Sequence, residues 1–250
     1  MNTASKTVLK IGLAMALMGT AGCASQADKT SAGASKPVEQ GAKTSLAEML
    51  RKAAAMPSAA LEGQGWKTLC DGKTLTGWQV TEFGGHGLVS CEAGLVVVDA
   101  GDALSGINFT NAVPKSNYEI ALDAMRVDGS DFFCGLTFPV RESHCSLILG
   151  GWGGTVVGIS SVDGQDASEN ETTKFIRFDA GRWYRVRVQV TDEKIEAWLD
   201  QEKIVDLALA QRKITLRFGD IDLSRPLGVA TYQTTAALRE IKLRHLGVAK

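Results

Sequence analysis

The 250-residue sequence has no run of basic residues, no apolar stretch long enough to span a bilayer as a permanent helix, no internal repeat and only three histidines. Each absence narrows the field. Without clustered Lys and Arg there is no footprint for a phosphate backbone, and nucleic acid is not an expected partner. The net charge of −1 hides an asymmetry: residues 1–60 carry seven Lys/Arg against three Asp/Glu, and the remainder carries 20 against 25. No long helical period follows Ala55. What is present instead is 44% hydrophobic composition, enough for one large globular β domain or two small ones.

The first 22 residues read as an export signal. Lys6 and Lys10 precede the short apolar run Ile11 to Met18, and Thr20-Ala21-Gly22-Cys23 follows. That tetrad resembles a bacterial lipobox, in which the thiol of the Cys is acylated after cleavage ahead of it. Cys23 is therefore the expected lipidation site, and a membrane, reached through that anchor, an expected partner. The alternative is ordinary signal cleavage that leaves Cys23 a free thiol. No Asp follows the Cys, which places the protein in the bacterial cell envelope, at the outer membrane. Residues 23–60 read as a tether: 24–44 are Ala, Ser, Gly, Lys and Gln with almost no apolar content, a composition that favours flexibility. Ser45-Leu46-Ala47-Glu48 has the pattern of a capping box opening a short helix to about Ala55, with Leu46, Met49, Leu50 and Ala53 on one face.

From residue 61 to the end the period changes to two. Trp183 to Val190 places Tyr184 and three valines on one face and Trp183, Arg185, Arg187 and Gln189 on the other. Tyr118 to Arg126, Lys194 to Leu199 and Ala236 to Leu243 alternate in the same way. Turn signals such as Asp71-Gly72, Asp128-Gly129-Ser130 and Asp163-Gly164 separate them. The reading is an all-β sandwich of two antiparallel sheets over 61–250. Cys134 and Cys145 fall in adjacent apolar runs with the look of a hairpin. They form either a cross-strand disulfide or a pair of buried free thiols; Cys70 and Cys91 are expected to stay unpaired.

Gly65-Trp66-Lys67-Thr68-Leu69-Cys70-Asp71-Gly72-Lys73-Thr74-Leu75-Thr76-Gly77-Trp78 resembles the opening motif of the 3-keto-disaccharide hydrolase family, W-x-x-L-F-D-G-K-x-L-x-G-W. Asn117 to Ile120, Gly181 to Val186, and Pro226 to Val229 running on to Leu238 to Ile241 are also similar to that family. Elsewhere the chain departs from it: Phe133-Cys134-Gly135 stands for Asn-Ser-Gly, and Ala197-Trp198-Leu199-Asp200-Gln201 for His-x-Leu-Asn-Gly. The resemblance implies a concanavalin A-like jelly roll and a carbohydrate ligand. The chemistry it implies needs a base for the C2 proton of a 3-keto sugar, an oxyanion stabiliser and an acid for the leaving oxygen.

Candidates for those tasks are read from the residues. Gly150-Gly151-Trp152-Gly153-Gly154 either offers an uncrowded indole face to a sugar ring or marks a strand bend whose Trp fills the core. The acidic stretch Asp163 to Glu171 follows it. Asp166 and Glu169 are candidate catalytic carboxylates, Asn170 and Arg177 candidate substrate contacts, and Arg185 a further cation on an outward strand face. No cofactor is expected; Ca²⁺ is considered at Asp163, Asp166 and Glu169, whose spacing does not match the EF-hand pattern. His144, with Glu142 two residues before it, is the candidate general base. One pocket is expected to hold Trp152, His144 and at least one of Asp166, Glu169 or Asn170. The leading function is cleavage of a (3-keto-)glycoside, hydrolytic or eliminative. Carbohydrate capture without catalysis is the alternative, and a scaffold for envelope complexes a third reading.

Overall fold

The computed structural model describes residues 38–247. The export signal, Cys23 and the tether as far as residue 37 lie outside the described residues. The domain is a jelly-roll sandwich of two antiparallel sheets. The eight-stranded sheet runs Glu202–Ala208, Lys194–Leu199, Trp183–Val190, Tyr118–Gly129, Thr234–His245, Leu95–Val98 and Val89–Glu92, with Lys67–Thr68 paired to Thr234–His245. The seven-stranded sheet runs Lys174–Phe175, Val156–Ser160, Ser143–Gly150, Cys134–Val140, Gly228–Tyr232, Leu104–Phe109 and Trp78–Val80. Among the described residues no helix is long and apolar enough to cross a membrane.

Alternation decides which side chains meet. Tyr184, Val186, Val188 and Val190 point into the core between the sheets, where they join Ile120, Leu122 and Ala124 of the neighbouring strand. From the facing sheet come Leu136, Phe138, Leu147, Leu149, Val157 and Ile159. The Tyr118 hydroxyl crosses between the sheets to donate to the Pro139 carbonyl, and burial raises its pKa well above the ordinary phenol value. The opening motif belongs to this scaffold. Trp78 is buried, donates its indole N–H to the Leu69 carbonyl and packs on Phe109 with ring centroids 5.1 Å apart. Asp71 accepts the amides of Lys73 and Thr74. Gly72 (φ 68°) lies so close to the Gly94 carbonyl that any Cβ there would stand 2.0 Å from its oxygen, which is why only glycine fits.

Three expectations are corrected. The helix spans Val38–Ala55, so Ser45 and Glu48 lie inside it and do not open it. Glu39, Gln40, Ala42 and Lys43 are good helix formers and carry the helix seven residues further toward the N-terminus. Its expected face is used: Leu50 and Ala53 are buried, with Leu46 and Met49 packed beside them, against Leu95, Val97, Met125, Val127 and Ala237 on the outside of the eight-stranded sheet.

That contact also corrects the half-buried strand that the alternation of Tyr118 to Arg126 implies, because in Tyr118–Gly129 both faces are covered as far as Val127. Where the helix does not reach, the outward carboxylates are enclosed by arginines. Asp123 pairs with Arg185 and Arg239, and Glu119 with Arg187 and Arg244.

The third correction is the disulfide. All four cysteines of the domain are free. Cys134 lies opposite Leu149 and Cys145 opposite Phe138, a register offset of roughly 13 Å at the usual rise per residue, beyond the reach of a bridge. Both point into the core, where burial pushes the Cys134 thiol up to about 12 and raises that of Cys145 as well.

Candidate functional site

The outward face of the seven-stranded sheet carries a cavity of about 370 Å³. Its floor comes from strand positions whose alternate neighbours fill the core: Ser146 and Ile148 on one strand, Ser160 on the next, with Leu104 and Tyr232 toward the far edge. Its walls are Trp152, Phe132 and Asp131 together with Arg217, Phe218, Asp220 and Ile221.

Trp152 is held at the rim by its glycines. Gly150, Gly153 and Gly154 all have positive φ, and Trp152 itself is left-handed at φ 49°, ψ 54°, a conformation that costs a bulky side chain energy and is kept only where neighbours fix it. The neighbour here is Arg126. Arg126 is 8% exposed, and its guanidinium donates to the carbonyls of Gly154 and Asp131. A Cβ on Gly150 would stand 2.6 Å from that guanidinium. Burial lowers the Arg126 pKa, partly offset by Tyr184 and Asp131. Asp131 completes the loop by accepting the Gly153 amide at 2.9 Å and the Phe132 amide at 2.7 Å. The indole is left 43% exposed over the cavity. Of the two readings of this motif, the strand does bend here, and the Trp does not fill the core.

The Arg217 guanidinium lies 5.6 Å from the Trp152 ring and pairs with Asp166 at 2.9 Å. Asp166 also accepts the Ser160 hydroxyl at 2.5 Å and the Ala167 amide. It thus stands behind the wall, fixing Arg217 and Ser160, and does not line the cavity.

The other expected residues separate. Asn170 is buried and spends both ends of its amide on the loop, donating to the carbonyls of Ile159, Gln165 and Asp166 and accepting from Thr172. No donor is left for a substrate. Glu169 is exposed on the same loop and Arg177 is exposed beyond Lys174–Phe175; neither lines the cavity. Arg185 is on the opposite sheet, enclosed with Asp123. Glu142 turns away to Lys115.

His144 shares the outward face of its strand with Ser146 and Ile148 but lies one outward position beyond the cavity, opposite Pro139. Burial lowers its pKa, Arg225 and Lys115 lower it further, and Asp222 opposes them. The expected pocket of Trp152, His144 and a loop carboxylate therefore does not form as one cavity. Of the acidic side chains considered for Ca²⁺, two face cations of the protein: Asp163 pairs with Arg212 and Asp166 with Arg217, and the Lys213 amide together with Arg212 holds the Asp163 carboxyl below its ordinary value. Among the described residues no group of three or more His, Cys, Asp or Glu is arranged to hold a metal.

Phe132, Asp131, Arg217, Phe218, Asp220 and Tyr232 were not singled out from the sequence. Arg217 to Asp220 belongs to no strand pattern, and its one local signal is a phenylalanine set between charged residues and glycine.

Residues 65–244 match the model of the 3-keto-alpha-glucoside-1,2-lyase-like domain. No curated protein matches the chain. Solved structures similar to it include a candidate glycosyl hydrolase of Parabacteroides distasonis, 16% identical with a TM-score of 0.48, which covers 73% of this chain and 94% of its own. Another is carbohydrate binding module CBM66 from Bacillus subtilis, at 13%, 0.44, 68% and 96%. A third is domain 4 of the extracellular arabinanase AbnA from Geobacillus stearothermophilus in complex with arabinotriose, at 12%, 0.46, 74% and 93%.

Proposed function

Because the chain belongs to the 3-keto-alpha-glucoside-1,2-lyase-like domain family, matched over residues 65–244, we propose that it binds a glycoside in the Trp152 cavity and cleaves it there. The observation that carries this reading is the meeting of an exposed indole, a guanidinium and two carboxylates, Asp131 and Asp220, around one cavity. An indole face suits the C–H face of a sugar ring, and charged groups at its edge suit the hydroxyls.

The family chemistry then distributes as follows. A 3-keto sugar has an acidic C2–H. Asp220, which has no side-chain partner among the described residues, takes that proton, and the electron pair moves into an enolate whose oxygen lies against Arg217. Return of the carbonyl breaks the C1–O bond and leaves a C1–C2 double bond, while the departing oxygen is protonated by the acid form of Asp220. Water then adds across the double bond, so the net change is hydrolysis. Asp166 acts as a positioning residue for Arg217. The protein performs this in the cell envelope, anchored through an acylated Cys23.

The test is product release from native and 3-keto-glycosides beside a binding titration, with Asp220→Asn as the diagnostic variant. Retained binding with turnover lost by two or more orders of magnitude supports the assignment. Turnover unchanged in Asp220→Asn removes Asp220 from it. Capture without cleavage is the second reading, and one observation favours it: among the described residues no histidine lines the cavity. Binding without turnover on every substrate decides for capture.

A further inference from the structure

We propose that the cavity is built for the apolar part of its glycoside, so that the ligand carries an aromatic or fused-ring aglycone and a bare oligosaccharide is a poor occupant. This rests on the reading of the cavity as the glycoside site, and it adds which chemistry fills it.

The first ground is the state of the polar groups. A sugar ring brings several hydroxyls, each of which loses water on entry and needs a partner in return. Here several of the partners are already engaged. The Asp131 oxygens hold two backbone amides. Ser146 shares its hydroxyl hydrogen bond with Thr137 at 2.7 Å. Ser160 donates to Asp166, and Arg217 pairs with the same carboxylate. Asp220 is left, with the remaining N–H groups of Arg217, the Tyr232 hydroxyl and the Trp152 indole N–H. That suffices to orient one polar edge, and not to satisfy two or three sugar rings.

The second ground is the apolar surface that stays open. Phe218 is fully exposed at the rim, and Trp152 and Tyr232 are 43% and 36% exposed. Phe132 stands 5.9 Å from Tyr232, ring centre to ring centre, and Ile148 lies in the floor. Aromatic and aliphatic groups thus surround the cavity, whereas a sugar needs them only beneath one face. A planar aglycone gains dispersion and burial from all of them, and the polar edge with Asp220 and Arg217 is left for the one sugar attached to it.

The experiment titrates the full chain with naphthyl glucoside, methyl glucoside, cellobiose and free naphthol, each in native form and the glucosides also as 3-keto derivatives. Naphthyl glucoside is expected to bind about tenfold or more tighter than methyl glucoside, the equivalent of one well-buried ring contact, and naphthol to compete with it. Phe218→Ala, which removes a side chain that packs on nothing in the fold, is expected to erase most of that preference by weakening the naphthyl compound far more than methyl glucoside. Methyl glucoside or cellobiose binding as tightly as the naphthyl compound overturns the aglycone assignment and leaves the glycoside reading standing. Naphthol binding with no glycoside binding at all overturns the glycoside reading, and the assignment built on it falls with it.

Discussion

Arg126 reaches from inside the sandwich to the carbonyl of Gly154 and thereby supports, from behind, the loop that presents Trp152. Its Nε is buried with no hydrogen-bond partner, and its charge lies against the rings of Phe133 and Phe178. Fold and cavity are coupled through this one side chain. Arg126→Met keeps the stem and removes the donors, leaving the Gly154 and Asp131 carbonyls unsatisfied. Chemical denaturation should show a loss of about 1–3 kcal/mol, and glycoside affinity should fall although no cavity residue has changed. Unaltered affinity in a folded variant would show that the loop holds its shape without the arginine.

Trp152 is expected to trade stability for function. It stands in left-handed backbone with its indole largely outside the core, so Trp152→Gly removes strain without creating a cavity. Thermal unfolding should move up by the equivalent of about 1 kcal/mol, while glycoside binding weakens by about 1–3 kcal/mol. A destabilised glycine variant would mean that the indole contributes packing that its exposure does not reveal.

The sandwich was legible because its alternation is clean: Trp183–Val190 has the same limits in sequence and structure, and its inward face is the expected one. The site was legible only where composition was unusual. A tryptophan among four glycines announces a special backbone, and it does line the cavity. His144 and Asn170 were chosen by residue type, which says what a side chain can do and not whether it is already occupied. Asn170 is spent on its own loop, and the position of His144 depends on a hairpin register that no local pattern fixes. The same register separates Cys134 from Cys145. Arg217, Phe218 and Asp220 line the cavity together with Ser146, Ile148 and Ser160, which lie more than fifty residues earlier in the chain, a long-range contact without a sequence signal.

His144 should give stability a pH dependence. Burial and the nearby Arg225 and Lys115 lower its folded pKa below the ordinary 6.5, against the opposing Asp222. As pH falls through 6.5 the unfolded chain takes up a proton that the native state resists, so stability declines until the lower, folded pKa is reached. Above 6.5 this contribution is absent. Urea midpoints between about pH 5 and 7 should therefore fall on acidification, and His144→Gln should flatten that part of the profile. Equal slopes in both proteins would assign the decline to other groups.

Anchoring is tested at Cys23. The Thr-Ala-Gly-Cys tetrad leads us to expect wild-type protein in the detergent-extracted membrane fraction and Cys23→Ser in the soluble one. One myristoyl-sized chain alone gives only reversible membrane binding, and stable partitioning therefore requires the full lipid modification. Membrane partitioning of Cys23→Ser equal to wild type would sink the lipoprotein reading and leave the cavity argument untouched.

The helix before the sandwich is expected to depend on one carboxylate. Asp123 lies between Arg185 and Arg239 and is 4% exposed. Those two arginines in turn hold the chain that follows the helix: Arg239 donates to the carbonyls of Ala53, Met56 and Pro57, and Arg185 to that of Ala59 and to Ser58. Asp123→Asn leaves two half-buried guanidinium groups facing a neutral amide, a change expected to cost up to about 3 kcal/mol. The arginines reorient first, and their hold on residues 53–59 loosens before the sheets separate. Limited proteolysis should thus cut the variant between the helix and Trp66 at a protease concentration that leaves wild type whole, with the fragment from Trp66 onward persisting. The same substitution should not alter glycoside affinity measured on intact protein, because the cavity is on the other sheet. Simultaneous loss of both fragments would mean that the helix and the sandwich unfold as one unit, and that Asp123 stabilises the whole domain and not the strap alone.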